Sequence, residues 1–147
     1  MDVYVVDTNL LFSSFLKPDG DISQFILSAA KYEVTPYAPK YLQVEIDRHR
    51  AKILALANYS PKELDVLVNR IYRCIRFVDD DLIRYEYYVR ALRLIRDVNP
   101  DDVAFVALNS LLGKTLWTGD VALYEGLKAK GYTDVIMFSD IKSKYGL

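Results

Sequence analysis

At 147 residues, with 52% hydrophobic and 27% charged residues, the chain suits a single domain over 1–147 with a real core, and a disordered or fibrous protein is excluded. Its formal net charge of −1 excludes a molecule that attracts phosphate as a whole, so any nucleic acid must be met by a local basic patch. A single cysteine and a single histidine exclude an internal disulfide, a thiolate metal cluster and a multi-histidine zinc site.

The first apolar run, Val3-Tyr4-Val5-Val6, reads as a short strand buried on both faces, and it stops at Asp7. Leu10-Leu11-Phe12 opens a short helix that ends before Lys17-Pro18-Asp19-Gly20, a turn. Asp21 or Ser23 is placed to cap the next helix, whose apolar positions are Ile22, Phe25, Ile26 and Ala29 or Ala30. Glu33 to Tyr37 holds a second short strand, closed by Pro36 and Pro39, and proline inside it marks a strand end rather than a long central strand. Tyr41 to about Ala57 is a long helix with Leu42, Ile46, Ile53 and Leu56 as its buried stripe. Tyr41, Glu45, Arg48 and Lys52 run beside that stripe, three or four residues apart. Ser60-Pro61-Lys62-Glu63 is a capping box with proline in the first turn. Leu64, Leu67, Val68, Ile71 and Ile75 follow at helical spacing, and Ile75 to Val78 reads as a third strand. One of Asp79, Asp80 and Asp81 caps a helix from Leu82 to about Arg96. Asn99-Pro100 starts another, apolar all round and therefore central, which Gly113 ends. Thr115 to Thr118 is a fourth strand, a short helix runs to Lys130-Gly131, and Asp134 to Phe138 is a fifth strand. Ser139 or Asp140 caps a last helical turn. No segment approaches the roughly 20 apolar residues of a membrane helix, and no secretory leader is apparent, so a cytoplasmic location is expected. The alternation of strands and helices predicts an α/β parallel sheet with helices on both faces.

Two acids follow strands at their carboxyl ends, Asp7 and Asp120, where open α/β sheets place their ligands. Two more, Glu45 and Asp102, lie on helices beside apolar faces. If these four converge, each raises the pKa of the others, and a hard divalent cation such as Mg²⁺ relieves the cost. Each has a plainer reading. Asp102 suits a helix dipole, as does Asp101; Asp120 is placed as a helix cap; Glu45 is placed to pair with Arg48 or His49; Asp7 needs a basic side chain, helix-end N–H groups or a cation. Gly113-Lys114-Thr115 has the tail of a phosphate-binding loop but Leu108 where its first glycine belongs, and reads as a helix stop. Arg84, Arg90, Arg93 and Arg96, interleaved with Tyr85, Tyr87 and Tyr88, read as a solvated helix face whose aromatic edge packs, on this chain or on a second subunit.

Taken in order, Val5-Val6-Asp7-Thr8-Asn9, Glu45, Asp102 to Leu108 and Leu116-Trp117-Thr118-Gly119-Asp120 resemble the motifs of the PIN-domain family, which includes VapC-type toxin ribonucleases of prokaryotic toxin–antitoxin systems. The resemblance covers essentially the whole chain. It implies a three-layer α/β/α sandwich, Rossmann-like, with strand order 3-2-1-4-5, and Mg²⁺- or Mn²⁺-dependent cleavage of single-stranded RNA to 5′-phosphate and 3′-hydroxyl ends. Asp7, Glu45, Asp102 and Asp120 would form the acidic pocket, with Asn9 and Thr118 orienting them and Asp101 as an extra ligand. Arg48 and Lys52 are the candidates for phosphates flanking the cut. Family habit implies a homodimer and, for a toxin, an antitoxin protein; the Phe105-Val106 helix, the Trp117 strand and the stretch from Asn58 to Asp80 depart from the commonest toxin pattern toward an archaeal-type branch. Two rivals stand beside this reading. One is a catalytically silent PIN fold that binds RNA or docks a partner. The other is a phosphoacceptor receiver domain, with strand order 2-1-3-4-5 and Asp79 as acceptor.

Overall fold

The computed structural model describes residues 1–147. Strand β1 (Asp2–Val6) lies in the middle of a five-stranded sheet whose order is β3-β2-β1-β4-β5. The other strands, β2 (Val34–Pro39), β3 (Arg76–Val78), β4 (Thr115–Trp117) and β5 (Val135–Ile136), all run parallel to their neighbours. Parallel strands must be joined by crossovers, and crossovers are right-handed. From β1 to β3 the chain moves one way across the sheet, through α1 (Thr8–Leu16), α2 (Asp21–Leu27), α3 (Tyr41–Ala57) and α4 (Pro61–Tyr72), which pack on one another. It then reverses to β4 and β5 through α5 (Tyr85–Ile95), α6 (Val103–Leu112) and α7 (Val121–Ala129), which pack together on the opposite face. The last helix, α8 (Phe138–Tyr145), reaches Phe25 of α2 through Phe138 and Tyr145. The result is the expected α/β/α sandwich. Its strand order is not that of a receiver domain, and Asp79 caps a 3-10 turn and pairs with Lys40 at 3.7 Å.

The reversal leaves β1 and β4 as neighbours, with Val6 beside Trp117 in the register. The next residue on each strand, Asp7 and Thr118, is therefore brought together at the carboxyl edge. Beneath them Val5, Val6, Leu116 and Trp117 are fully buried, as are Phe105 to Leu108 of α6, so this end of the sheet rests on buried core. Removing each such side chain from water is worth about 1.5–3 kcal/mol before the entropy of ordering is counted.

Several local expectations need correction. Pro36 sits inside an internal strand, paired with Tyr4 of β1; it is tolerated because β3 covers β2 only from Tyr37 onward, leaving that side of Pro36 open. Gly20, not Asp21 or Ser23, precedes α2, and buried Ser23 donates to the carbonyls of Ser14 and Lys17 instead. Leu56 is 59% exposed because the covered face at the end of α3 runs through Ile53, Leu54 and Ala57 and leaves Leu56 on the solvent side. Asp79 accepts from the Asp81 amide to close the 3-10 turn Asp80–Leu82, so α5 begins only at Tyr85, without a side-chain cap. β5 stops at Ile136, because Phe138 already opens α8, and Asp140 lies inside that helix, accepting from the Met137 amide. Ser139 is likewise helical rather than a cap.

Candidate active site

Asp7 ends β1 and caps α1. It is 1% exposed, and its carboxylate accepts from the Leu10 amide at 3.0 Å, the Gly119 amide at 3.4 Å and the Thr118 hydroxyl. Of the three partners open to it, the helix-end N–H groups supply the structural one; no Lys or Arg pairs with it. Burial drives its pKa up to about 6, with nearby Asp120 adding to the rise and the three hydrogen bonds opposing it. Asp120 follows β4 and caps α7 through the Leu123 amide at 3.1 Å. The Thr118 hydroxyl that donates to Asp7 also accepts from the Asp120 amide at 3.0 Å, so one buried side chain fixes both acids.

Asp102 stands at the junction of the 3-10 turn Pro100–Asp102 and α6. Asn99 holds it: the Asn99 amide nitrogen donates to Asp102 Oδ2 at 3.0 Å, while its oxygen accepts from the Asp101 backbone at 3.3 Å. Asp102 is pushed up to about 7, first by burial and then by Asp7, Asp120, Glu45 and Asp101. That four acids repel one proton-binding site is the electrostatic signature of convergence. Glu45, on α3, is half-buried and also raised, chiefly by burial; the Thr8 hydroxyl donates to its Oε1 at 2.6 Å. Neither Arg48 nor His49 forms an ion pair with it.

Glu45, Asp101 and Asp102 line a hollow of about 220 Å³ together with Thr8, Asn9, Asn99, Phe12, His49 and Lys52. Lys52 is thus on its wall, whereas Arg48 is not: its guanidinium turns to the Tyr41 hydroxyl at 3.3 Å. Asn9 is exposed on the rim and hydrogen-bonds none of the acids; the side chains that do donate to them are Thr118, Thr8 and Asn99. Thr8 adjoins Asn9 in sequence, and helix geometry alone decides between them: α1 starts at Thr8, turning it inward and Asn9 outward.

The donor set suits a hard cation. It is all oxygen, none of its acids is neutralised by a Lys or Arg, and each of three acids keeps one oxygen free of hydrogen bonds: Glu45 Oε2, Asp102 Oδ1 and Asp120 Oδ2. No three Asp, Glu, His or Cys side chains are arranged here to grip one ion together. Mg²⁺, which keeps several waters and takes one or two carboxylates directly, does not require such a cage.

A family model described as a PIN domain matches residues 5–138. Among solved structures, a chain of the VapBC2 crystal structure from Rickettsia felis, bound to a DNA fragment from its promoter, superposes with a TM-score of 0.63 at 14% identity. The match covers 92% of this chain and 96% of that one, and the likeness is one of fold. None of the curated proteins matches the sequence.

Proposed function

The chain belongs to the PIN-domain family, and from that membership and the four unneutralised acids we propose that it is a metal-dependent endoribonuclease cutting single-stranded RNA. Proteins of this family are generally nucleases and generally depend on divalent metal. The observation that carries the reading is that Asp7, Asp120 and Glu45 all repel charge on Asp102, which with Glu45 lines a solvent-open hollow, and that no Lys or Arg forms an ion pair with any of the four. Asp102, Asp120 and Glu45 would hold Mg²⁺ or Mn²⁺ through their free oxygens, with Asp7 behind them. A divalent cation there supplies water activation and offsets charge at the phosphoryl centre.

The remaining work falls to the chain's own groups. Thr118 keeps Asp7 and Asp120 in register, Thr8 aims Glu45, and Asn99 aims Asp102. One of the carboxylates acts as base toward the attacking water or orients it. Lys52, on the wall of the hollow, meets a flanking phosphate; Arg48 serves farther along the strand. The products would carry 5′-phosphate and 3′-hydroxyl ends. As partners the reading takes RNA, a second copy of the chain and, if the protein is a toxin, an antitoxin. Leu82 at 69%, Tyr85 at 81% and Leu92 at 43% exposure, on or beside α5, support the second copy. No helix is long and apolar enough to cross a membrane.

Cleavage of a labelled single strand with Mg²⁺ or Mn²⁺, and with EDTA, tests the proposal. Metal-dependent cutting by wild type that Asp7→Asn abolishes is expected; equal cutting by both proteins removes it. A silent PIN fold is the second reading, favoured by the closure of Asp7 behind three hydrogen bonds and by the lack of a preformed three-acid cage. Salt-dependent RNA binding with no cleavage under any metal would select it.

A further inference from the structure

Of the nine residues lining the acid hollow only Phe12 is hydrophobic. Its position on α1 is off the fully buried stripe of Leu10, Leu11, Ser14 and Phe15, so its ring is only partly covered. His49, the only histidine of the chain, stands edge-on to it, with ring centroids 5.9 Å apart and planes at 75°. The imidazole is exposed and forms no hydrogen bond or ion pair, and its one electrostatic neighbour is Glu45, a turn earlier on α3 and itself on the hollow. Lys52, one turn on along α3, carries its ammonium 5.6 Å from the Phe12 ring centre. An aromatic pair and a cation thus face three carboxylates across one small polar hollow.

Resting on the nuclease reading, we infer that Phe12 and His49 form the stacking platform for the unpaired base next to the cleaved phosphate, with Lys52 taking that nucleotide's phosphate. Base and aromatic ring stack whatever the base, so the platform selects for a single strand rather than for a sequence. A base in a duplex is already stacked and cannot reach the bottom of a hollow of about 220 Å³. The pair therefore accounts for strandedness, which the acids alone do not.

The test uses single-stranded oligoribonucleotides carrying 2-aminopurine at successive positions, with wild-type protein in Ca²⁺ for binding and in Mg²⁺ or Mn²⁺ for cleavage. One position, adjacent to the mapped cut, is expected to change fluorescence on binding. His49→Ala, an exposed site with little risk to folding, should lose that signal and weaken binding about tenfold. It should raise KM with kcat nearly unchanged. His49→Phe should restore both, and Lys52→Ala should lower the salt slope by about one charge while keeping the fluorescence change. Wild-type cleavage with His49→Ala indistinguishable from it overturns the platform and leaves the nuclease reading intact. So does retention by His49→Gln but not His49→Phe, which would mean a hydrogen bond instead of stacking. If wild type neither binds nor cuts the strand, both fall together.

Discussion

Thr118 is a single buried hydroxyl on which two acids depend, since it donates to Asp7 and accepts from the Asp120 amide. Thr118→Val keeps the shape and strands a buried carboxylate oxygen, which costs about 1–3 kcal/mol. Denaturant midpoints should show that loss, and metal affinity should fall about 10- to 100-fold, as for other residues that orient ligands. The same burial gives the metal-free protein an unusual pH response. Asp7 and Asp102 sit at about 6 and about 7, above their ordinary value of 3.8, so the folded state binds protons that the unfolded state has released. Stability in EDTA is therefore fullest below about pH 4 as far as these groups are concerned, and it falls as pH rises toward 7 by at most about 1.4 kcal/mol per unit for each group. Melting temperatures in EDTA should drop between about pH 4 and 7, and Mg²⁺ should restore more at about pH 7 than at about pH 4; a flat profile would show that burial and the neighbouring acids do not raise these two carboxyls. Of these residues Asp7 and Asp120 are legible because each follows a strand, Asp102 and Glu45 because each lies on a helix beside an apolar face, and Thr118 as an orienting group only through the family resemblance. The sequence does not disclose Thr8 or Asn99 as orienting groups, since which side of a first helical turn faces an acid is settled by packing.

At the scale of elements, chemistry and architecture separate cleanly. The capping box at Ser60 and Glu63 is complete in both directions, at 3.1 Å each way, and lies on α4 away from the hollow. Ser60→Ala should cost about 1 kcal/mol of stability and leave RNA cleavage unchanged. On α7, a Cβ at Gly126 would come within 2.7 Å of Val98 Cγ2, and valine is stiff at χ1. Gly126→Ala should therefore destabilise by about 1–3 kcal/mol despite improving helix propensity, measured again by denaturant midpoint. Elements with strong local signals are legible in the sequence nearly to the residue, α3 at both ends and α4 at its capped start, though the helical spacing of α4 runs on to Ile75 past its end at Tyr72. The failures are at ends where tertiary context decides: α5 starts late because Asp79 closes a 3-10 turn first, and β5 ends early because α8 claims Phe138. Pro36 misleads for a similar reason, since its open side reflects how short β3 is.

For the molecule as a whole, strand order follows from alternation, crossover handedness and one reversal, and that reversal alone sets Asp7 beside Thr118. The convergence of Glu45 and Asp102 on the same place is long-range, and spacing could only suggest it. The exposed Leu82, Tyr85 and Leu92 belong to this scale too: light scattering should give a dimer mass, and Tyr85→Glu should yield a folded monomer, whereas a monomeric wild type would leave that surface for another partner. The central claim is that these carboxylates share a divalent ion. It is tested most directly by calorimetric titration of Mn²⁺ into metal-free wild type and Asp102→Asn near pH 7, in two buffers of different ionisation enthalpy. Binding that releases protons, because Asp102 titrates at about 7, and that weakens at least about tenfold in the variant is expected. Binding of equal strength in both proteins, or none in wild type, would contradict it.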